Sequence, residues 1–172
     1  MALFVLSVVG SDRPGLTRAL AAAVLSAGGN WQESHLSLLG GLYVGSVLVE
    51  LESDAVEALR AAVRAVDDHG LTVRIAPAVE APGAEGEGLR LGLVGQDRPG
   101  IVNQVTAVLS ELGVNIESFR SWISAEPHSG VPLFNVEASF RLPSDLPVGK
   151  VQGALEEISA EIMVDMALTP SG

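Results

Sequence analysis

Two short segments carry the residue types that could do chemistry. Gly10-Ser11-Asp12-Arg13-Pro14-Gly15-Leu16 returns 85 residues later (95 − 10) as Gly95-Gln96-Asp97-Arg98-Pro99-Gly100-Ile101. The first glycine removes a side chain where a strand ends, so a ligand or a neighbouring backbone can approach. Proline has the fixed φ that suits a first helical turn, and the glycine after it leaves the first-turn amides uncovered. Bare amides at a helix start attract a carboxylate, through unpaired donors and the helix dipole together. Asp12 offers an acceptor for an ammonium group; alternatively it closes an Asx-turn or caps the helix. At the same offset Gly28 falls on Gly113 and Asn30 on Asn115. Asparagine supplies both donor and acceptor, or it simply adopts a left-handed turn after glycine. A carboxylate and an ammonium a few bonds apart are what an α-amino acid presents. Arg13 and Arg98 read as solvated.

Other chemistries find little support. There is no cysteine, so disulfides, thiolate metal sites and thiol catalysis are excluded. His35, His69 and His128 have no metal-ligand spacing. His128 and Ser129 have no partner acid in the sequence, and neither catalysis nor a cofactor is expected. Ten basic against 21 acidic side chains leave a formal charge of −11, and aromatics reach only 4%. A polyanion without a basic run or stacking surface is not expected to bind nucleic acid directly. Polar residues interrupt each apolar run well before ~18 residues, and the N-terminus has no basic segment of a secretory signal. The expectation is a soluble, cytoplasmic protein without a membrane partner.

The elements that must position the two loops follow from the same repeat. Leu3 to Val9 is a short apolar run of strand type. Leu16, Leu20, Ala23, Val24 and Ala27 then recur at helical spacing until Gly28-Gly29. Trp31–Leu39 and Leu42–Leu51 form a hairpin around Gly40-Gly41. Ser53 or Asp54 caps a helix bearing Val56, Leu59, Val63 and Val66, closed by Gly70, and Leu71, Val73 and Ile75 alternate as a strand. The second half repeats this as strand 89–94, helix 99–112, strands 115–124 and 133–141, helix 148–160 and strand 162–168. The order βαββαβ predicts an α+β chain of two tandem ferredoxin-like domains, each an antiparallel sheet with helices on one face. The domains are expected at 1–80 and 89–172, joined by a flexible glycine-rich linker at 81–88. Each unit is near the size where one core is marginal, so pairing is expected. Trp31 and Trp122 read as core or interface anchors, Phe134, Val136, Ala138 and Phe140 as core, and His35 as titrating at an interface or merely half exposed.

The duplicated Asp-Arg-Pro-Gly segments, followed by Gly-Gly-Asn and Gly-Val-Asn, resemble ACT domains, small βαββαβ modules that bind amino acids. Gly28-Gly29-Asn30-Trp31 with Glu33-Ser34, Ser129-Gly130-Val131-Pro132-Leu133-Phe134, and Ile162-Met163-Val164-Asp165-Met166 are similar to the tandem-ACT family related to the glycine cleavage system transcriptional repressor. The resemblance implies ligands held at an interface between ACT units. By position, one pocket uses Gly10, Ser11, Asp12, Pro14, Gly15 and Asn30, and the other Gly95, Gln96, Asp97, Pro99, Gly100 and Asn115. It also implies a homodimer that senses a small amino acid and acts through a protein partner, a transcription factor or a metabolic enzyme. A regulatory subunit acting directly on a biosynthetic enzyme, and a small enzyme, are the alternatives.

Overall fold

The computed structural model describes residues 1–67, 70–79 and 86–171. The chain divides into two units, Met1–Glu80 and Ala81–Gly172. The first runs β1 (Ala2–Ser11), α1 (Leu16–Ser26), β2 (Asn30–Leu39), β3 (Leu42–Leu51), α2 (Val56–Asp67), β4 (Leu71–Pro77). Its sheet order is β2-β3-β1-β4, antiparallel throughout. The second runs β5 (Gly88–Gln96), α3 (Ile101–Glu111), β6 (Asn115–Ala125), β7 (Pro132–Arg141), α4 (Val148–Glu161), β8 (Val164–Pro170), in the order β6-β7-β5-β8. Both units are therefore βαββαβ ferredoxin-like folds of the α+β class.

Strand periodicity decides which face the helices cover. Along β1, Phe4, Leu6 and Val8 are buried while Leu3, Ser7 and Val9 are exposed. The buried set meets Leu16, Leu20 and Val24 of α1 and Leu59, Val63 and Val66 of α2, which recur at helical spacing. In the second unit Leu89, Leu91 and Leu93 pack with Ile101, Val105 and Leu109 of α3 and Val151 and Leu155 of α4. Val136, Ala138 and Phe140 are core, and Phe134 at the end of their row is half-buried. Each fully buried leucine contributes about 1.5–3 kcal/mol, so the single helix-covered face holds each unit together.

Several boundaries differ from the sequence expectation. α1 and α3 begin at Leu16 and Ile101 rather than at the prolines, because Gly15 and Gly100 precede them at φ 93° and 96°, outside helical space. Neither Ser53 nor Asp54 caps α2: residues 53–55 form a 3₁₀ turn that leads into it, closed by Ala55 N–H donating to Glu52 C=O at 3.0 Å. Ile162 is not in the last strand; it is buried at the end of α4, and Met163 at φ 55° turns the chain into β8. Of the expected linker, residues 81–85 lie outside the described residues, while Gly88 already pairs with Arg141 and the Glu87 carbonyl accepts from Leu142. His69 also lies outside them. Trp31 packs on the first core, but Trp122 stands half-buried on the opposite face of its sheet, with the Arg120 guanidinium 4.9 Å from its ring centre.

Candidate ligand site

The space left by each strand-ending glycine is taken by the chain itself. A Cβ on Gly10 would lie 2.2 Å from the Gly70 carbonyl oxygen, and one on Gly95 would lie 2.5 Å from Val164 Cγ1. Of the two possible visitors, the neighbouring chain is the one present. Ser11 N–H donates to that same Gly70 carbonyl at 3.2 Å, and Asp97 N–H donates to Pro132 C=O at 3.1 Å. These bonds anchor the loops while leaving Ser11, Asp12, Pro14 and Gly15, and likewise Gln96, Asp97, Pro99 and Gly100, exposed.

Beyond the loops, the two helices start uncapped. Neither α1 nor α3 receives a side-chain capping bond, so Asp12 and Asp97 are not caps. The first intrahelical bonds are Ala19 N–H to Gly15 C=O at 2.9 Å and Gln104 N–H to Gly100 C=O at 3.0 Å. The three amides ahead of each are the orphan donors of a helix start.

The second loop borders a hollow of about 510 Å³, lined by Arg98, Gly100, Val102, Asn103 and Phe134 among others. Arg98 is half-buried, and its Nε is shut away from solvent with no hydrogen-bond partner. A guanidinium fork beside unpaired amides is a carboxylate-binding arrangement. Arg98 and Phe134 are the residues that sequence reasoning missed as a pair. The one hint was that Arg98 recurs with its motif, which cannot reveal burial.

Asn30 and Asn115 do not join their loops. Gly10 pairs with Tyr43 on β3 and Asn30 with Glu50, seven positions apart, or roughly 23 Å of strand. Gly95 and Asn115 are separated in the same way, opposite Phe134 and Arg141 on β7. In the second unit a hollow of about 390 Å³ touches Asn115 and shares Asn103 and Thr106 with the hollow at Arg98. The two form a trough along α3 rather than one compact pocket. Among the described residues there is no His, Asp and Glu cluster that could hold a metal, and no helix long and apolar enough to cross a membrane.

The chain is thus a duplicated ferredoxin-like unit, each copy with an uncapped helix after its glycine-containing loop. Family models for the ACT domain match residues 2–76 and residues 90–158, and the chain belongs to the ACT domain family, with two ACT domains in tandem. Among solved structures, an unknown protein from Galdieria sulphuraria is 29% identical, with 99% of each chain covered and a TM-score of 0.87. A candidate glycine cleavage system transcriptional repressor is 15% identical, with 99% of this chain and 97% of that one covered and a TM-score of 0.69. The latter likeness is one of fold. No curated protein matches the sequence.

Proposed function

We propose that this protein is an amino-acid-binding regulator whose primary site is the second loop. The observation that carries the reading is that Arg98 and the uncapped start of α3, at Gly100 and Ile101, line one hollow. The ligand carboxylate accepts from the guanidinium and these amides, the Asp97 carboxylate attracts the ammonium, and Phe134 and Val102 face an apolar side chain in the hollow. Gly95, Gln96, Pro99 and Gly100 shape the loop. Gly10, Ser11, Asp12, Pro14 and Gly15 form the corresponding loop of the first unit, where the Thr17–Tyr43 hydrogen bond holds the site closed in the native chain. Asn30 and Asn115 stand too far from their own loops to share a small ligand with them, so they act only with a loop of a different ACT unit. The surplus of acidic groups favours a protein rather than a nucleic acid as the recipient of the signal. Regulation then requires that the ligand favour one of two arrangements of the protein.

Calorimetric titration with a panel of small amino acids tests this reading. The expected result is saturable binding by the native chain that Arg98→Ala weakens. Absence of heat at millimolar amino acid, or equal affinity in the variant, would sink it.

A further inference from the structure

The two units differ where the second helix of each overhangs the last strand. In the first unit a hollow of about 400 Å³ lies between α2 and edge strand β4, lined by Arg60, Val63, Arg64, Val73, Arg74 and Ile75. Three of the chain's ten basic side chains thus line one hollow of a protein whose formal charge is −11. The common fold does not require them. Buried Leu59 and Val63 correspond to buried Val151 and Leu155 of α4, each 92 positions on (151 − 59 and 155 − 63), which sets Gln152 for Arg60 and Glu156 for Arg64. Leu71 lies opposite Gly10 as Val164 lies opposite Gly95, which sets Ala167 for Arg74. Gln152 donates to Glu156 at 2.8 Å, so the matching helix face satisfies itself. Charged residues on an edge strand can serve merely to guard it, but the second edge does without these three.

The backbone of β4 has a free side in phase with this hollow. Ser11 N–H donates to Gly70 C=O and Ala78 N–H to Leu3 C=O, so in the antiparallel ladder Thr72, Arg74 and Ala76 turn their amides and carbonyls to β1. Val73 and Ile75 turn theirs outward, where no strand of the described residues pairs with them. We infer that this edge takes up an acidic, extended segment of a partner protein as an added strand. The main chain of the segment bonds to Val73 and Ile75. Glutamates two residues apart on such a strand project to one side about 6.8 Å from each other, and Arg60 and Arg64, one helical turn apart, are separated by about 6 Å. The glutamate stems cover Val63, Val73 and Ile75, and their carboxylates meet the guanidinium groups. Arg60 is held only by the exposed Glu57 of its own helix, at 3.3 Å, a pair weak enough to yield. A second copy of the chain is the wrong occupant, because its own β4 would bring arginines against arginines. The inference goes beyond the ligand reading, and neither Arg98 nor either loop takes part in it.

Fluorescence anisotropy with a labelled synthetic peptide that alternates glutamate and threonine tests it, with circular dichroism confirming that each variant is folded. The native chain is expected to bind this peptide saturably and to ignore one that alternates lysine and threonine. Arg60→Glu and Arg64→Glu should each weaken binding at least about tenfold, and the double variant should take the lysine peptide instead. Gln152→Ala, at the matching place of the second unit, should change nothing. Only one edge of an added strand faces β4, so N-methylating one alternating set of peptide amides should abolish binding and methylating the other set should spare it. No binding at about 1 mM peptide overturns the inference, as does undiminished affinity in Arg64→Glu. Equal binding by the two methylated peptides also overturns it, since charge attraction alone would then be at work. So does a native chain whose sedimentation shows a dimer that Arg64→Glu dissociates, which would make a second copy the occupant.

Discussion

Thr17 Oγ1 and Tyr43 Oη lie 2.6 Å apart, a hydrogen bond between the first turn of α1 and strand β3. The residue 85 positions after Thr17 is Val102, and Phe134 faces Gly95 as Tyr43 faces Gly10. Neither can form such a bond, and both line the hollow at Arg98. The two repeats therefore differ where a ligand would enter: a polar latch stands over the first helix start, an apolar wall beside the second.

Arg98→Ala should lower amino-acid affinity by about 1.5–3 kcal/mol, the range for a hydrogen bond to a charged group, or roughly ten- to a hundredfold. Arg13→Ala, at the exposed equivalent position, should change affinity less than about twofold. Calorimetry on the two variants side by side gives the comparison.

Opening the latch should add a site. Thr17→Val with Tyr43→Phe reproduces the residues of the second unit, and the lost exposed bond costs about 1 kcal/mol of stability or less. The binding stoichiometry should rise from one amino acid per chain towards two. A value that stays at one would mean that the latch is not what separates the repeats.

Glycine substitutions should rank by what their new methyl meets. Gly10→Ala drives a methyl into the Gly70 carbonyl, and Gly95→Ala into the Val164 side chain. Both should destabilise by about 1–3 kcal/mol, Gly10→Ala more, because backbone yields less than a side chain. Gly92→Ala, with nothing within 4 Å of the added carbon, should stay within about 0.5 kcal/mol of the native chain. Urea unfolding measures all three.

Core and wall aromatics of β7 should separate cleanly. Phe140 is fully buried, so Phe140→Ala should cost about 3–5 kcal/mol of stability. Phe134 is half-buried, so Phe134→Ala should cost less while weakening ligand binding. Equal losses of stability, with ligand affinity untouched by Phe134→Ala, would place Phe134 in the core alone.

Periodicity in the sequence was enough to determine the duplicated βαββαβ order, the helix-facing residues such as Leu6, Leu20 and Leu59, and the two loops. These depend on local spacing, and spacing is what a chain displays before it folds. Helix starts escaped by two residues because the left-handed φ of Gly15 and Gly100 is a conformational choice made in context. Tertiary structure alone decided three matters: that Asn30 and Asn115 sit at the far ends of their sheets, that Arg98 is half-buried while Arg13 is exposed, and that Gly10 accommodates the Gly70 carbonyl. Each turns on which strand lies beside which, and in what register. Two identical tetrapeptides therefore acquire different surroundings, because the residues that close around them come from strands more than 25 positions away.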